Sequence, residues 1–446
     1  MQKKVSKKKT TVNNIALLPM LVFLVLYLGT GITFEYVMKI PMGFYNIPIV
    51  GVFLVALAVA CIQNKKLPFS KKLDVMSTGI GDKNIITMIL IFLLAGAFVG
   101  VVGRSSASSV AYFVLSHMPT KFAVAVLFIV SCFISISMGT SVGTITLVTP
   151  IAYEVATASN FDLALCVASV IGGAMFGDNL SFISDTTIAA CNGQGCKMKD
   201  KFRANFRIAF ISALFALAII AFVSFRQDFN TNVEKNYNLI QIIPYVLVLI
   251  GGIVGVNVFL VLIIGIISGS IIMLMTGSIN IVNLVSQAGS GMAGMYETTM
   301  VAILVAAMGA LIKAYGGFDA IVYHIKSRVN NRKGGLFGIA LLVTIMDVAT
   351  ANNTVAIVMA NPIAKELSKE FDISSSKTAS ILDIFSCIMQ GIIPYGAQIL
   401  VAISAVAAFG ANISAFEIIP KIYYVYCLLG VTLISMLTST NKINKK

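Results

Sequence analysis

Charge and tryptophan are what this sequence lacks most. Of its 446 residues only 11% are Asp, Glu, Lys or Arg and none is tryptophan, whereas 58% are hydrophobic. A soluble protein of this length would carry far more surface charge. Apolar runs long enough to cross a bilayer instead recur along the whole chain. The composition predicts an all-α polytopic membrane protein and leaves no room for a soluble domain.

Histidine and cysteine are also scarce. The two histidines, His117 and His324, lie in amphipathic stretches that we interpret as loops, and the seven cysteines show no disulfide or zinc spacing. We expect no cofactor and no metalloenzyme. The net charge is +14, but its lysines and arginines gather in short flanks beside apolar runs, so nucleic acid is not an expected partner. Membrane lipid is an expected partner, and a homodimer is left open.

A shift of 212 residues lays the second half of the chain on the first. Thr149–Ala152 then falls on Asn361–Ala364, and Thr87-Met88 falls on Thr299-Met300. Such self-similarity is the signature of an internal repeat. We predict two repeats, residues 1–225 with a basic N-terminal segment and residues 226–446. The apolar runs that coincide are 85–104 with 297–316, 121–158 with 333–370, 164–190 with 376–402, and 202–224 with 414–436.

Basic residues suggest the orientation, because Lys and Arg in short loops favour the cytoplasmic side. The segments 64–83, 197–207 and 324–333 are basic, as are both termini, whereas 35–43, 226–237, 276–296 and 405–413 are nearly neutral. This pattern predicts a multi-pass protein of the inner membrane with both termini in the cytoplasm. Five crossings per half make the repeats inverted, which is typical of secondary transporters.

The runs 121–158 and 333–370 are too long for one crossing. A helix rises about 1.5 Å per residue, so each run would reach about 57 Å against a bilayer core of about 30 Å. We predict that each bends back as a re-entrant hairpin, although two full crossings would fit the charges equally well. The fold is then about ten spans, two re-entrant hairpins and two broken helices. The predicted tips comprise Ser137, Gly139, Thr140 and Ser141, and Asn352, Asn353 and Thr354.

Two polar segments predict the broken helices. Gly177–Thr187 interrupts the run 164–190, and its repeat mate Gln390–Gln398 contains Pro394. Irregular backbone at membrane depth is tolerated only where it lines protein or a cavity. Carboxylate, carbonyl and hydroxyl oxygens are hard ligands that suit Na⁺. The expected cation- and proton-binding residues are Asp178, Asn179, Ser181, Ser184, Asp185 and Thr186, with Gln390, Pro394 and Gln398 in the second half.

Other interpretations of these residues remain open. Polar side chains in membrane helices often only join helices, and Asp185 could cap a helix start. Asp347 and Asp383 also fall in apolar runs, where they are possible site residues, and Lys313 is the only candidate buried cation. Glu154 and Glu417 lie near predicted span ends and are expected at the membrane interface.

The polar motifs carry a family resemblance. GDNLSFISDTT from Gly177, GTSVGT from Gly139 and IIPYGAQ from Ile392 resemble the NhaC family of sodium/proton antiporters. Asn352-Asn353-Thr354 resembles the hairpin-tip motifs of the wider ion-transporter superfamily. Where the family commonly has Pro, Trp and Trp, this chain has Phe182, Val142 and Tyr395. The resemblance implies cation-coupled transport more firmly than any one substrate.

The expected function is sodium/proton antiport, with Asp178 and Asp185 as competing carboxylates that bind either transported ion. The alternative is sodium- or proton-coupled transport of a small organic acid or amino acid, which would need a buried cation for its carboxylate. Gly177-Asp178 also resembles the GxGD element of intramembrane aspartyl proteases, but Met175 stands in place of its first glycine. An enzyme is therefore not expected, and broken inverted repeats disfavour a simple channel.

Overall fold

The described part of the chain is helical throughout. A computed structural model describes residues 12–40, 47–182, 184–227 and 237–438, and within these ranges it contains α-helices, short 3₁₀ and π turns and no strand. The prediction of an all-α membrane protein is confirmed. The helices are α1 (Leu18–Ile32), α2 (Ile49–Gln63), α3 (Phe69–Ile80), α4 (Lys83–His117), α5 (Ala123–Met138), α6 (Ser141–Ser159), α7 (Leu163–Leu180), α8 (Asp185–Gln194), α9 (Met198–Phe225), α10 (Leu239–Ile253), α11 (Val258–Met275), α12 (Ile281–Gly294), α13 (Tyr296–Ala314), α14 (Gly317–Lys326), α15 (Arg332–Thr350), α16 (Asn353–Glu370), α17 (Ser375–Gln390), α18 (Ala397–Ala407), α19 (Ala415–Ile418) and α20 (Tyr423–Leu437).

Two helical hairpins, α5–α6 and α15–α16, turn at nearly the same point of their sequences. Gly139 ends α5 with a φ of 68°, and Ala351 ends α15 with a φ of 44°. The following residue then caps the next helix. Thr140 Oγ1 accepts from the amide of Gly143, and Asn352 Oδ1 accepts from the amide of Val355. Each turn is therefore two residues long, and it includes or adjoins the predicted tip residues.

Two further helices are broken, over shorter stretches than predicted. Helix α7 continues through Asp178 to Leu180, and α8 begins at Asp185. In the second half α17 continues to Gln390, and α18 begins at Ala397. Gly177, Asp178 and Gln390 are thus helical, because α7 and α17 keep their own backbone hydrogen bonds up to the break. Pro394 lies within the second break.

Several segments predicted as loops are helices. Residues 64–83 contain α3 and residues 276–296 contain α12, while His117 and His324 lie on α4 and α14. Glycines allow both of these helices, α3 and α12, to pack closely on their neighbours. A Cβ at Gly79 of α3 would lie 2.6 Å from the Ala306 carbonyl oxygen of α13, and one at Gly291 of α12 would lie 2.1 Å from the Gly96 carbonyl oxygen of α4. Such close approach of two helix backbones stabilises helices that carry few large apolar residues.

Eight helical segments in the described ranges are long and apolar enough to cross a membrane, or nine if α19–α20 counts as one bent span. They include Thr120–Met138 and Arg332–Thr350, the first arms of the two hairpins. The number of crossings and the re-entrant character of the hairpins remain predictions. The lysines on which the orientation of the termini depends, Lys3, Lys4, Lys7, Lys8, Lys9, Lys442, Lys445 and Lys446, lie outside the described residues.

The helices of the second half follow those of the first at the predicted shift of 212 residues. Shifted in this way, α5 to α8 fall on α15 to α18, with starts and ends that agree within about three residues. At the meeting of α7 and α17, the Cys387 thiol lies 3.7 Å from the Met175 carbonyl oxygen, and these two residues are themselves 212 apart. Equivalent residues would meet in this way near a two-fold axis. Whether the halves are inverted across a membrane stays a prediction.

Candidate cation site

Asp178 lies at the last turn of α7 and is only 8% exposed. Its Oδ1 accepts a hydrogen bond of 2.5 Å from Ser184 Oγ, which lies just before α8. Its Oδ2 accepts one of 2.8 Å from Ser141 Oγ, the first residue of α6. One buried carboxylate thus joins both sides of the α7–α8 break to the tip of the first hairpin.

The hydroxyl network extends beyond the carboxylate. Ser184 Oγ lies 2.8 Å from Thr186 Oγ1, and Gln398 Nε2 donates to Ser141 Oγ at 3.2 Å. Gln398 belongs to the first turn of α18. The predicted residues Asp178, Ser141, Ser184, Thr186 and Gln398 are therefore brought together, and they join the first hairpin to both broken helices.

Small residues on α7 allow this geometry. A Cβ at Gly173 would lie 2.3 Å from the Phe128 carbonyl oxygen, and one at Gly177 would lie 2.4 Å from Ser135 Cβ. Helix α5 therefore packs almost against the backbone of α7. This contact holds the α5–α6 turn beside Asp178.

A buried ion pair lies beside the carboxylate. Lys201 Nζ is 2.5 Å from Asp383 Oδ2, and both side chains are almost fully buried, 1% and 2% exposed. The same ammonium donates to the Asn179 carbonyl oxygen at 2.8 Å and to Thr187 Oγ1 at 2.7 Å. Asn205 Nδ2 donates to Asp383 and to the Asn179 carbonyl oxygen. Lys201 thus holds together the end of α7, the start of α8 and the middle of α17.

This pair corrects two sequence interpretations. Lys201 was assigned to a basic loop at 197–207, but α9 begins at Met198, so Lys201 lies in the first turn of a helix that packs on α7 and α17. Lys313 was the only candidate buried cation, but its side chain is exposed. The signal that could have located the pair was Asp383 itself, since an acid within an apolar run requires a partner.

Asp185 lies across the helix break from Asp178. Its side chain is exposed in the first turn of α8, and Lys83 is the basic residue that acts on it electrostatically. Asp185 is therefore less enclosed than Asp178, and its role as a competing carboxylate stays a prediction. Asn179 and Ser181 are buried at the break, where the Asn179 carbonyl is bound by Lys201.

The second hairpin tip contacts a different set of residues. Asn352 caps α16, and its Nδ2 points to Met88 Sδ at 2.9 Å. A small cavity beside it is lined in part by Thr298, Thr350 and Tyr395. The remaining predicted tip residues Ser137, Asn353 and Thr354 are half-buried.

Two buried acids remain outside this network. Asp347 on α15 is fully buried and accepts a 2.8 Å hydrogen bond from Gln390 Nε2. Glu154 on α6 is buried and accepts from Ser108 Oγ at 2.7 Å, while its position at the membrane interface stays a prediction. Glu417 is exposed and forms a capping box with Ser414 at the start of α19.

The chain matches one known protein family over almost its whole length. A sequence model described as the Na+/H+ antiporter family matches residues 4–225 and residues 207–439. The chain belongs to the Na+/H+ antiporter family. As a member it is a secondary transporter and a multi-pass membrane protein, not an enzyme. The match confirms the NhaC-type resemblance of the polar motifs.

Individual relatives are more distant. An uncharacterized protein of Haemophilus influenzae is 32% identical over 123 residues, which cover 27% of this chain and only 24% of that protein. The YdaH transporter of Alcanivorax borkumensis aligns with 94% of this chain and 98% of its own, at 12% identity and a TM-score of 0.45. Neisseria gonorrhoeae MtrF, described with a class of antimetabolite efflux pumps, aligns with 94% and 95% at 11% identity and a TM-score of 0.42.

Proposed function

We propose that this transporter exchanges Na⁺ for H⁺ at Asp178. The observation that carries the proposal is the pairing of this buried carboxylate with two hydroxyl groups, those of Ser141 and Ser184. In the described ranges Asp178 forms no ion pair within 4.0 Å, whereas neighbouring Asp383 is bound to Lys201. Of these two neighbouring buried carboxylates, Asp178 is therefore the one that can bind a transported cation.

Hydroxyl groups suit such an exchange because each can donate one hydrogen bond and accept others. When neither Na⁺ nor a proton is bound, Ser141 and Ser184 donate to the Asp178 carboxylate. When Na⁺ binds, the same hydroxyls rotate and present lone pairs to the ion. When a proton binds, Asp178 itself becomes the donor. Proton and sodium thus compete for one carboxylate, and this competition is what antiport requires.

Lys201 and Asp383 supply a fixed, neutral frame for the exchange. The ammonium joins the Asn179 carbonyl oxygen and Thr187 across the break, so it holds the unwound segment in position. Because Asp383 neutralises it, Lys201 does not replace the transported cation at Asp178. We expect this pair to position Asp178 rather than to bind the transported ion.

Alternating access follows from the placement of ligands on separate elements. Ser141 belongs to the α5–α6 hairpin, Asp178 and Ser184 to the first broken helix, and Gln398 to the second. Movement of one broken helix relative to the hairpin would dismantle the site and expose Asp178 to the other side. In this account both termini are cytoplasmic, and the membrane is the inner membrane.

The test is exchange by the purified protein in liposomes that enclose a pH-sensitive dye. With a proton gradient imposed, addition of NaCl should move protons, KCl should not, and Asp178→Asn should abolish the response while the folded yield stays normal. Exchange that persists in Asp178→Asn would refute the site. A response that requires an added carboxylate or amino acid would instead favour a coupled carrier of that solute.

A further inference from the structure

Asp347 and Gln390 form an isolated polar pair inside the protein. Asp347 is 0% and Gln390 1% exposed, and Gln390 Nε2 donates to Asp347 Oδ1 at 2.8 Å. The other oxygen of each side chain, Asp347 Oδ2 and Gln390 Oε1, is buried without a hydrogen-bond partner. Two buried acceptor atoms without hydrogen-bond partners in one pair of side chains are unusual, since nearly all buried polar atoms have a hydrogen-bond partner.

A single proton removes this deficit. A protonated carboxyl group has an O–H donor, and an amide oxygen accepts. A proton on Asp347 Oδ2 would give the carboxyl group a donor, and Gln390 Oε1 is the unsatisfied acceptor of the side chain already bonded to it. A hydrogen bond between these two atoms would complete a two-bond pairing between carboxylic acid and amide. A charged Asp347 would instead leave one oxygen both charged and unsatisfied, at the cost of desolvation without compensation.

No ion pair among the described residues neutralises Asp347. The titratable groups near Asp347 include the Cys387 thiol on α17 and the Tyr395 hydroxyl in the second break. Tyr395 donates to the Val348 carbonyl oxygen at 2.8 Å rather than to Asp347. None of these neighbours offers Asp347 the counter-charge that Lys201 gives Asp383.

In the second half of the chain, this pair occupies the positions that are equivalent to Asp178 and its α5 neighbour in the first half. At the shift of 212 residues, Gln390 falls on Asp178 and Asp347 falls on Ser135 of α5. Ser135 packs on α7 beside the residue preceding Asp178. Each half thus places one acid where its hairpin meets its broken helix, on the broken helix in the first half and on the hairpin in the second.

We propose that Asp347 and Gln390 hold a second exchangeable proton, on Asp347 Oδ2. The two residues lie on different elements, α15 of the hairpin and α17 of the broken helix. Movement between these elements separates donor from acceptor and admits water, so the proton passes to water on the side to which the site opens and leaves a hydrated carboxylate. Its release during transport rests on the proposed function, whereas its presence does not.

Infrared spectroscopy of the reconstituted protein at neutral pH tests the presence of the proton. Asp347→Asn should remove one carboxylic-acid C=O band. The variant should still fold, because an asparagine amide can make both hydrogen bonds to Gln390 without a proton. Gln390→Leu should shift the frequency of the same band, since it removes the acceptor. An unchanged carboxylic-acid band in Asp347→Asn would overturn the proposal.

Transport tests the exchange of this proton. Asp178 alone trades one proton for one sodium ion, so a second exchanged proton adds one net charge per cycle. A potential imposed with valinomycin and a potassium gradient should change the exchange rate of the wild type and not that of Asp347→Asn. Wild-type exchange that ignores the potential would overturn the proposal. Complete absence of sodium/proton exchange would refute the function at Asp178 instead, and the infrared result would still decide where the proton lies.

Discussion

Lys201 Nζ and Asp383 Oδ2 lie 2.5 Å apart in the interior of the protein, and the same ammonium binds both sides of the first helix break. Breaking a buried pair by removing one partner typically costs about 3–5 kcal/mol, because the other charge is left uncompensated. This one ion pair therefore contributes to the stability of α7, α8, α9 and α17 together.

Single substitutions at this pair should be more harmful than the double one. We expect Lys201→Met and Asp383→Leu each to lower the free energy of unfolding by roughly 3 kcal/mol, and the double variant to recover part of that loss. Because the chain has no tryptophan, unfolding in detergent can be followed with a thiol-reactive dye that reports the buried Cys132, Cys166 and Cys387. Additive losses in the double variant would contradict the pairing.

Ser141 should affect sodium affinity more than folding. Ser141→Ala removes a hydroxyl that contacts Asp178 at 2.8 Å. A hydrogen bond to a charged group contributes about 1.5–3 kcal/mol, so the KM for Na⁺ should rise about tenfold or more. Ser131→Ala is the matched control, because that buried serine of α5 donates only to the Leu127 carbonyl oxygen of its own helix. Equal KM values for the two variants would argue against Ser141 as a ligand.

The close contact between α5 and α7 should not tolerate a methyl group. A Cβ at Gly173 would lie 2.3 Å from the Phe128 carbonyl oxygen. Gly173→Ala should therefore destabilise the protein by about 1–3 kcal/mol and slow exchange, since the hairpin tip is displaced from Asp178. Gly430→Ala in α20 has nothing within 4 Å of the added Cβ and should leave both measurements unchanged. A stable, active Gly173→Ala would show that this packing does not position the site.

Asp185 should be dispensable for exchange. Its side chain is exposed in the first turn of α8, where an exposed carboxylate interacts with other charges by only about 0.2–1 kcal/mol. Asp185→Asn should therefore keep exchange within roughly threefold of the wild-type rate in the liposome assay. Loss of exchange as complete as in Asp178→Asn would restore Asp185 to the role that the sequence first suggested.

Much of the site could be predicted because buried polar residues stand out in an apolar chain. Asp178, Ser184 and Ser141 were all identified from polar segments, and the structure brings them within hydrogen-bond distance. The turns at Gly139 and Ala351 also fall at the small polar residues of two runs that are too long for one crossing. These features depend on local sequence and on the thickness of a bilayer, so no tertiary information was needed.

The remaining errors come from tertiary packing. The positive-inside rule counts Lys201 among cytoplasmic charges because it uses sequence position alone. It contains no information that a side chain in the first turn of α9 reaches Asp383. Asp185 follows Asp178 closely in sequence, but the break after Leu180 lies between them, and Asp185 is exposed where Asp178 is buried. The pairing of Asp347 with Gln390 joins residues 43 positions apart, and neither residue marks its partner in the sequence.

Competition between sodium and protons at Asp178 is the central claim, and proton release measures it most directly. Purified protein in weakly buffered detergent solution at neutral pH should release protons when NaCl is added and none when KCl is added. Asp178→Asn should abolish this release, whereas Asp185→Asn should retain it. If Asp178→Asn releases as many protons as the wild type on addition of Na⁺, the two ions do not compete at this carboxylate and the account is wrong.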